Sequence, residues 1–224
     1  NSADASCNYI RENYPRIRLI ESRENLGFGK GNNVAVKEAR GRYLLLINND
    51  TIVLDKLKDL LMIMENDKQI GALGINMLDG NSSYLKAAGK FPTIFNLLML
   101  KSMFWMGDEF RKGSFKKQQY EVEWISGAFM LIPKKIYDSL GGFDERYFMY
   151  VEDVDLCKQI ADKGYKRIFV PGYSYIHFVG FSTAKNMFLI RGLELYVSKF
   201  FKGIKKSAAK AAIKINATAK RIKD

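Results

Sequence analysis

Tyr43-Leu44-Leu45-Leu46-Ile47-Asn48-Asn49-Asp50 sets the fold class: five apolar residues in a row are followed at once by three polar ones. A continuous apolar run of strand length between helical patterns reads as a strand of an α/β sheet, buried on both faces. In open α/β sheets ligands bind beyond the carboxyl ends of the strands, so Asn48, Asn49 and Asp50 stand where a ligand is expected. An Asx turn into a helix over Leu57 to Met64, capped by Asp55, accounts for the same residues, and both readings stay open.

Upstream, Asn1-Ser2-Ala3-Asp4 offers N-capping chemistry for a helix through Cys7 and Ile10 that ends near Pro15. Arg16 to Ile20 alternates as a short strand. Asn25-Leu26-Gly27-Phe28-Gly29-Lys30-Gly31-Asn32-Asn33 follows as a glycine-rich turn into a helix ending before Gly41. Such a turn either presents backbone N–H groups and Lys30 to a phosphate or simply reverses the chain.

Downstream, Gly71 to Ile75 reads as a strand, and Leu78 to Gln119 is the least patterned region. Within it, Phe91 to Met106 is rich in Leu, Met, Phe and Trp, as expected of a packing helix, a lid or an amphipathic segment against a membrane. Glu123 to Ile132 is an expected strand ended by Pro133, and Lys134 to Leu140 a short helix ended by Gly141.

Gly141-Gly142-Phe143-Asp144-Glu145-Arg146-Tyr147-Phe148-Met149-Tyr150-Val151-Glu152-Asp153-Val154-Asp155 then sets carboxylates beside aromatics, a mixture costly to bury and odd to expose. It fits a pocket with its acids at a helix start, or only an acidic first turn that complements the helix dipole. The helix from Asp153 carries Leu156, Cys157, Ile160 and Ala161 on one face and ends at Gly164. A strand at Ile168 to Pro171 precedes His177, the single histidine, which is either a core residue or a ligand.

A chain of 224 residues with 47% hydrophobic content buries a sizeable core, so one α/β domain with an appendage is expected. Cys7 and Cys157 have neither metal-ligand nor redox spacing, which favours a reducing, cytoplasmic setting. Lys199 to Asp224 holds nine Lys or Arg against one Asp, +8 of the +12 net charge. This basic helical tail, taken as 189–224 after a catalytic domain at 1–188, suits an anionic membrane surface or is a solvated terminal helix. No uncharged apolar run reaches spanning length, and the aromatic and basic interleaving of a nucleic-acid platform is missing.

Taken together these residues resemble the family 2 glycosyltransferases, in their bacterial rhamnosyltransferase-like branch. The resemblance is carried by Asn25-Leu26-Gly27-Phe28 with Asn33, Leu46 to Thr51, Trp124-Ile125-Ser126-Gly127-Ala128, Gly141 to Glu145, Phe148 to Leu156, and His177 with Gly180 and Ser182. It implies a GT-A fold, a Rossmann-like nucleotide-diphospho-sugar transferase architecture, and a divalent cation, Mg²⁺ or Mn²⁺. Asp50 then matches the Asp-x-Asp cation ligand, with Asn48 in place of the first acid, and His177 matches the histidine that completes the metal site.

By the same resemblance Asp153 is the general base and Glu152 orients it or an acceptor hydroxyl. Lys30, Asn33, Asn48, Asn49, Trp124, Gly127 and Ala128 fall to the donor. The implied activity is inverting transfer of a sugar, rhamnose among the candidates, from a nucleoside diphosphate to a polysaccharide or lipid-linked acceptor at the cytoplasmic face of a membrane. Family members begin with strands that have no counterpart here, so an N-terminally incomplete domain, itself inactive, is expected. The rivals are a non-catalytic basic membrane-binding module and a nucleotidyltransferase on a similar core.

Overall fold

The computed structural model describes residues 2, 4–178 and 185–221; Gly180 and Ser182 of the motif set, and the last residues of the tail, lie outside them. Helices α1 (Ser6–Asn13) and α2 (Gly27–Glu38) precede strands β1 (Tyr43–Ile47) and β2 (Thr51–Val53), then α3 (Leu57–Asn66) and β3 (Ile70–Leu78). Short strands β4 (Tyr84–Leu85) and β5 (Ala88–Gly89) lead to α4 (Ile94–Leu98), a 3-10 turn at Leu100–Phe104, and α5 (Asp108–Lys112). Next come β6 (Tyr120–Glu121), β7 (Trp124–Ile125), β8 (Phe129–Pro133), α6 (Lys134–Ser139), α7 (Glu152–Asp162) and β9 (Lys166–His177). Helices α8 (Lys185–Phe200) and α9 (Gly203–Arg221) end the described chain.

The main sheet runs β1-β8-β3-β9-β2, with β4 added beside β3 and β6 beside β9. Among the described residues only β3 and β9 pair in parallel; β1 with β8, β8 with β3, and β9 with β2 are antiparallel. The expected strands at 71–75 and 168–171 are the middles of longer ones. The run 123–132 is divided at Ser126–Ala128, where the chain leaves the small β5–β7 sheet to join the main one.

β1 forms where expected but is not covered on both faces. Leu44 and Leu46 are buried, Tyr43 and Leu45 half-buried and Ile47 exposed, because β1 is an edge strand and its second face lines an open apolar groove with Leu57, Leu61, Phe129 and Leu131. Arg16 to Ile20 is irregular, with Ile17 and Ile20 exposed and no strand to pair with. Asp55 does not cap α3: the N-cap is Lys56, and Asp55 Oδ2 accepts from the Ser174 amide at 2.7 Å. The glycine-rich segment is not a turn either, since α2 begins at Gly27 and Gly29, Lys30 and Gly31 are helical.

The region that sequence patterning left blank is held by aromatic packing. Phe110, Phe115, Tyr120 and Phe169 meet with ring centroids 5.1–5.7 Å apart, pinning residues 107–121 over β9. α4 is a packing helix set against α9, its Leu97 buried. The tail is less detached than expected: Leu193, Tyr196 and Val197 of α8 and Ala209, Ala212 and Ile213 of α9 belong to the core.

At the centre of β3, a Cβ on Gly74 would lie 2.1 Å from Ile125 Cγ2, so β7 crosses β3 at a distance only glycine permits. Gly74→Ala is expected to cost about 1–3 kcal/mol by overpacking. Paired with Ile125→Ala it should cost clearly less than the sum of the two single changes in urea unfolding, whereas strict additivity would deny the contact its weight.

Candidate active site

Four segments meet beyond β1 and β9. The Asn48 amide donates to the Ala128 carbonyl at 3.1 Å, continuing the β1–β8 pairing into the Ser126–Ala128 corner. Beside it the Gly127 amide donates to Asp153 Oδ2 at 3.1 Å, and the Val154 amide to Asp153 Oδ1 at 2.8 Å. Gly127 has a steric reason: a Cβ there would lie 2.8 Å from the Phe28 ring. On the other flank Thr51 pairs with His177 across β2 and β9, and the Phe178 amide donates to the Asp50 carbonyl at 2.9 Å. The turn between β1 and β2 is closed by Thr51 Oγ1 donating to the Asn48 carbonyl at 2.7 Å.

Asn48, Asp50 and His177 thus form one cluster. His177 Nε2 lies 3.2 Å from Asp50 Oδ1 and 3.3 Å from Asn48 Nδ2, while its Nδ1 faces Met77 Sδ at 3.4 Å. Asp50 Oδ1 is enclosed yet has no hydrogen bond of good geometry, so the His177 contact is close without being well aligned. An orphaned carboxylate oxygen beside an imidazole nitrogen and a side-chain amide is a donor set that suits Mg²⁺ or Mn²⁺. Among the described residues no three His, Cys, Asp or Glu side chains form such a group, so Asn48 has to supply the third ligand.

Glu152 and Asp153 open α7, preceded by two non-glycine residues in the left-handed region, Tyr150 (φ 69°) and Val151 (φ 76°). Glu152 is buried, its Oε2 has no partner, and burial followed by the neighbouring Asp153 charge pushes its carboxyl well above the usual range. Asp153 as a residue is half-buried, but its carboxyl is also raised by burial, against the Gly127 and Val154 amides that favour its anion. Between the acids and the cluster lies Tyr175, fully buried, its hydroxyl unpartnered. Burial raises the phenol strongly; Ser126, close by but poorly aligned, opposes this, and the charges of Asp153 and Asp50 add to it.

Other expected donor residues are engaged elsewhere. Asn33 Oδ1 accepts from the Phe143 amide at 2.9 Å and Tyr137 Oη at 2.6 Å, and its Nδ2 donates to the Phe143 carbonyl and Glu145 Oε1 at 2.9 and 3.1 Å. Its amide has no capacity left for a donor. Lys30 sits in the first turns of α2, 4.0 Å from Glu24. The Gly27 and Phe28 amides there already donate to Asn25 Oδ1 and the Phe148 carbonyl, so no phosphate cradle is open. Trp124 is buried, donating to the Lys90 carbonyl at 3.0 Å and stacking edge-on to Phe104, and Asn49 is exposed.

Sequence reasoning missed Tyr175, an ordinary strand tyrosine by pattern, and grouped Asp155 with Glu152 and Asp153 without separating its different surroundings. Asp155 is 1% exposed and accepts from Tyr147 Oη at 2.8 Å, Gln159 Nε2 at 2.6 Å and Lys199 Nζ at 2.7 Å. It lies on the polar side of α7 with Lys158, Gln159 and Asp162, opposite the Leu156, Cys157, Ile160 and Ala161 stripe, so its burial comes from partners outside the helix that local pattern does not show.

The family model described as glycosyltransferase like family 2 matches residues 1–192. The rhamnosyltransferase WbbL of Escherichia coli is 30% identical over 164 residues, 68% of this chain and 61% of that protein. The N-acetylglucosaminyl-diphospho-decaprenol L-rhamnosyltransferase of Mycobacterium tuberculosis is 27% identical over 206 residues, 83% of this chain and 66% of that protein. The chain therefore spans somewhat under two thirds of the length of these curated relatives. Among solved structures, GalNAc-T7 with UDP, GalNAc and Mn²⁺ superposes with a TM-score of 0.60 at 14% identity, over 96% of this chain and 45% of that one. The mannosyltransferase PcManGT from Pyrobaculum calidifontis, in complex with GDP-Man and Mn²⁺, gives 0.55 at 17% identity, over 96% and 57%. These likenesses establish the GT-A fold, and with a family match over residues 1–192 the chain belongs to the family 2 glycosyltransferases.

Proposed function

We propose that the protein transfers a sugar, with inversion, from a nucleoside-diphosphate donor to a hydroxyl of a polysaccharide or lipid-linked acceptor. The observation that carries this reading is the meeting of Asp153, held by the Gly127 and Val154 amides, with the Asn48–Asp50–His177 cluster through the Asn48–Ala128 bond. Two rhamnosyltransferases among the relatives, one named for a diphospho-decaprenol acceptor, support rhamnose and a lipid-linked acceptor as first candidates.

Asp153 takes the proton of the acceptor hydroxyl as that oxygen attacks the anomeric carbon, and the bond to the departing diphosphate breaks. Its two backbone donors orient the carboxylate for this, while the raised range of the carboxyl makes it a stronger base than an exposed aspartate. Glu152, buried and unpartnered, holds a proton at neutral pH and has a hydrogen bond to donate to Asp153 or an acceptor oxygen. Asp50, His177 and Asn48 would hold Mg²⁺ or Mn²⁺, which when bound neutralises charge on the diphosphate. Gly127, Ala128 and Asn49 remain the donor-facing residues of the corner, while Asn33 and Trp124 are held in the packing around it.

The acceptor reading extends to an anionic membrane surface at the cytoplasmic face. No helix of the described residues is long and apolar enough to cross a membrane. α4 and the turn after it expose Phe95, Leu98, Met99 and Trp105, and α9 is tied to that patch by Asn216 Nδ2 donating to the Leu98 carbonyl at 2.7 Å. The outward side of α9 exposes Ile204 and Ile215, and Lys210 and Lys214 join Arg191 around a cleft of about 490 Å³. Aromatics beside cations suit the headgroup region of anionic lipid. Ile213, on the opposite side of α9 from this surface, is buried in the core.

In the full-length protein, Asp153→Asn should lower turnover about 10²–10⁴-fold with donor binding nearly unchanged; turnover within about threefold of wild type would remove Asp153 from the base role. Stability supplies an independent check on Glu152. Because its carboxyl is raised by folding, the folded chain retains a proton that the unfolded chain has released, so stability falls as pH rises through and above the ordinary carboxylate range. Glu152→Gln should therefore raise Tm at pH 8 by about 2–4 °C and flatten the decline from pH 5; an unchanged decline would contradict the assignment.

Asp50→Ala and His177→Ala should each weaken Mn²⁺ binding, read by titration calorimetry, and raise the Mn²⁺ needed for turnover. Unchanged binding in both would return His177 to the core. For the membrane, Lys205→Glu, Lys210→Glu and Lys214→Glu together should lower cosedimentation with vesicles containing phosphatidylglycerol and leave binding to pure phosphatidylcholine unchanged. Binding to the anionic vesicles equal to that of wild type would defeat this reading.

A further inference from the structure

We propose that helix α8 is a positioning element of the active site: Gly192 and Lys199 clamp the Tyr150–Val151 turn and so fix where Glu152 and Asp153 point. The inference rests on the role given to those carboxylates above, and it assigns a task to residues of the chain's end that charge alone marked as a membrane tail.

The turn needs an external hold. Tyr150 and Val151 lie consecutively in the left-handed region, φ 69° and 76°, sparsely populated by non-glycine residues and least of all by a β-branched one. Such a conformation persists only where its surroundings over-determine it. On one side the surroundings are α2: the Phe28 amide donates to the Phe148 carbonyl at 3.0 Å, and a Cβ on Gly27 would lie 2.1 Å from that oxygen.

On the other side they are α8, at three points of one helix face. The Phe188 ring meets Phe148 with centroids 5.0 Å apart. Four residues on, a Cβ on Gly192 would lie 2.6 Å from the Tyr150 carbonyl oxygen and 2.9 Å from Val151 Cγ2, so the helix backbone rests directly on the strained turn. Two turns further, Lys199 Nζ lies 2.7 Å from Asp155 Oδ1 and 3.1 Å from Asp144 Oδ2, bridging the two ends of the Asp144–Asp155 segment.

Lys199 is the only cation paired with Asp155 among the described residues, and Asp155 is one helical turn from Glu152. The bridge therefore sets the depth of the first turn of α7 against the loop before it. Residues packed only for stability would not need a glycine against a carbonyl and a lysine across the loop's two ends. Lys199 also lies beyond the 1–192 span of the family match.

Hydrogen–deuterium exchange on this chain, with no substrate present, tests the clamp directly. Gly192→Ala introduces a better helix former, so α8 persists, while the added Cβ forces the turn away. Lys199→Met keeps the stem and loses the charge, and Lys199→Arg keeps the charge. The expected result is about tenfold faster exchange at 147–156 in the first two variants, with β3 and β8 unchanged and Lys199→Arg like wild type.

In the full-length protein, kcat should fall about 10²-fold in the same two variants while the donor KM stays within about threefold. Lys199→Arg should restore kcat. Unchanged exchange at 147–156, faster exchange spread evenly over β3 and β8, or a rise in KM alone would each overturn the proposal. If Lys199→Met does not fold, Gly192→Ala decides the matter by the same measurements. Absence of turnover by wild-type protein across a panel of UDP-, GDP- and dTDP-sugars would count against the transfer reading and leave the clamp to be judged by exchange.

Discussion

The carboxylates of the site stand at the end of a loop, 141–151, that has no regular pairing of its own, so its polar backbone must find partners outside itself. The Asn33 side chain supplies the first of them. One amide closes on both the N–H and C=O of Phe143 and on Tyr137 and Glu145 as well, fully satisfied and buried. Gly142 is part of the same device: at φ 77° it turns the chain toward Asn33 Oδ1, and a Cβ there would lie 2.5 Å from that oxygen. Losing Asn33 would leave the Phe143 amide and carbonyl buried and unpaired, a cost of about 1–3 kcal/mol for each group. This side chain anchors the start of the loop to α2, as the Phe28 amide on the Phe148 carbonyl does nearer its end.

Electrostatics then divides the loop into two kinds of acid. Asp144 and Asp155 are answered by cations or hydroxyls, and Arg146, with Lys199 beside it, holds the Asp144 carboxyl far below the usual range. Glu152 and Asp153, one and two residues past the strained turn, are raised instead, and no cation pairs with them among the described residues. The contrast has a physical logic: the answered acids hold the backbone, and the unanswered ones are the pair to which the proposed chemistry is assigned. A chain optimised only for stability would pair or remove both.

How much of this could be read beforehand depends on the range of the interaction. β1, α6, α7 and the middles of β3 and β9 follow from local apolar patterning, and Asn48, Asp50, Gly127, Asp153 and His177 meet as the motif set implied. What patterning missed is long-range. Nothing local says that Asn33 is used up by a loop over a hundred residues away, or that Gly27 starts a helix because its amide is held by Asn25 and its Cα lies against Phe148. Arg16 to Ile20 alternated like a strand but had no partner strand, and pattern is silent on partners. The tail was misjudged for a related reason: its lysines dominated the reading, while Leu193, Tyr196, Val197, Ala209 and Ala212 carry the burial.

Asn48 can be understood in the same terms. Its backbone N–H is bonded to Ala128, the neighbour of the Gly127 whose own amide holds Asp153, so residue 48 and the proposed general base share one corner. A carboxylate at 48 would strengthen cation binding, and it would also add a negative charge to the corner that holds Asp153, whose carboxyl burial already raises. An amide offers an oxygen ligand without that charge. The two demands, holding a cation and keeping Asp153 able to ionise within its raised range, act on one position in opposite directions, and asparagine satisfies the second at a cost to the first. The family's double acid therefore becomes one acid, one amide and one imidazole, with Asp50 alone carrying the negative charge of the cluster.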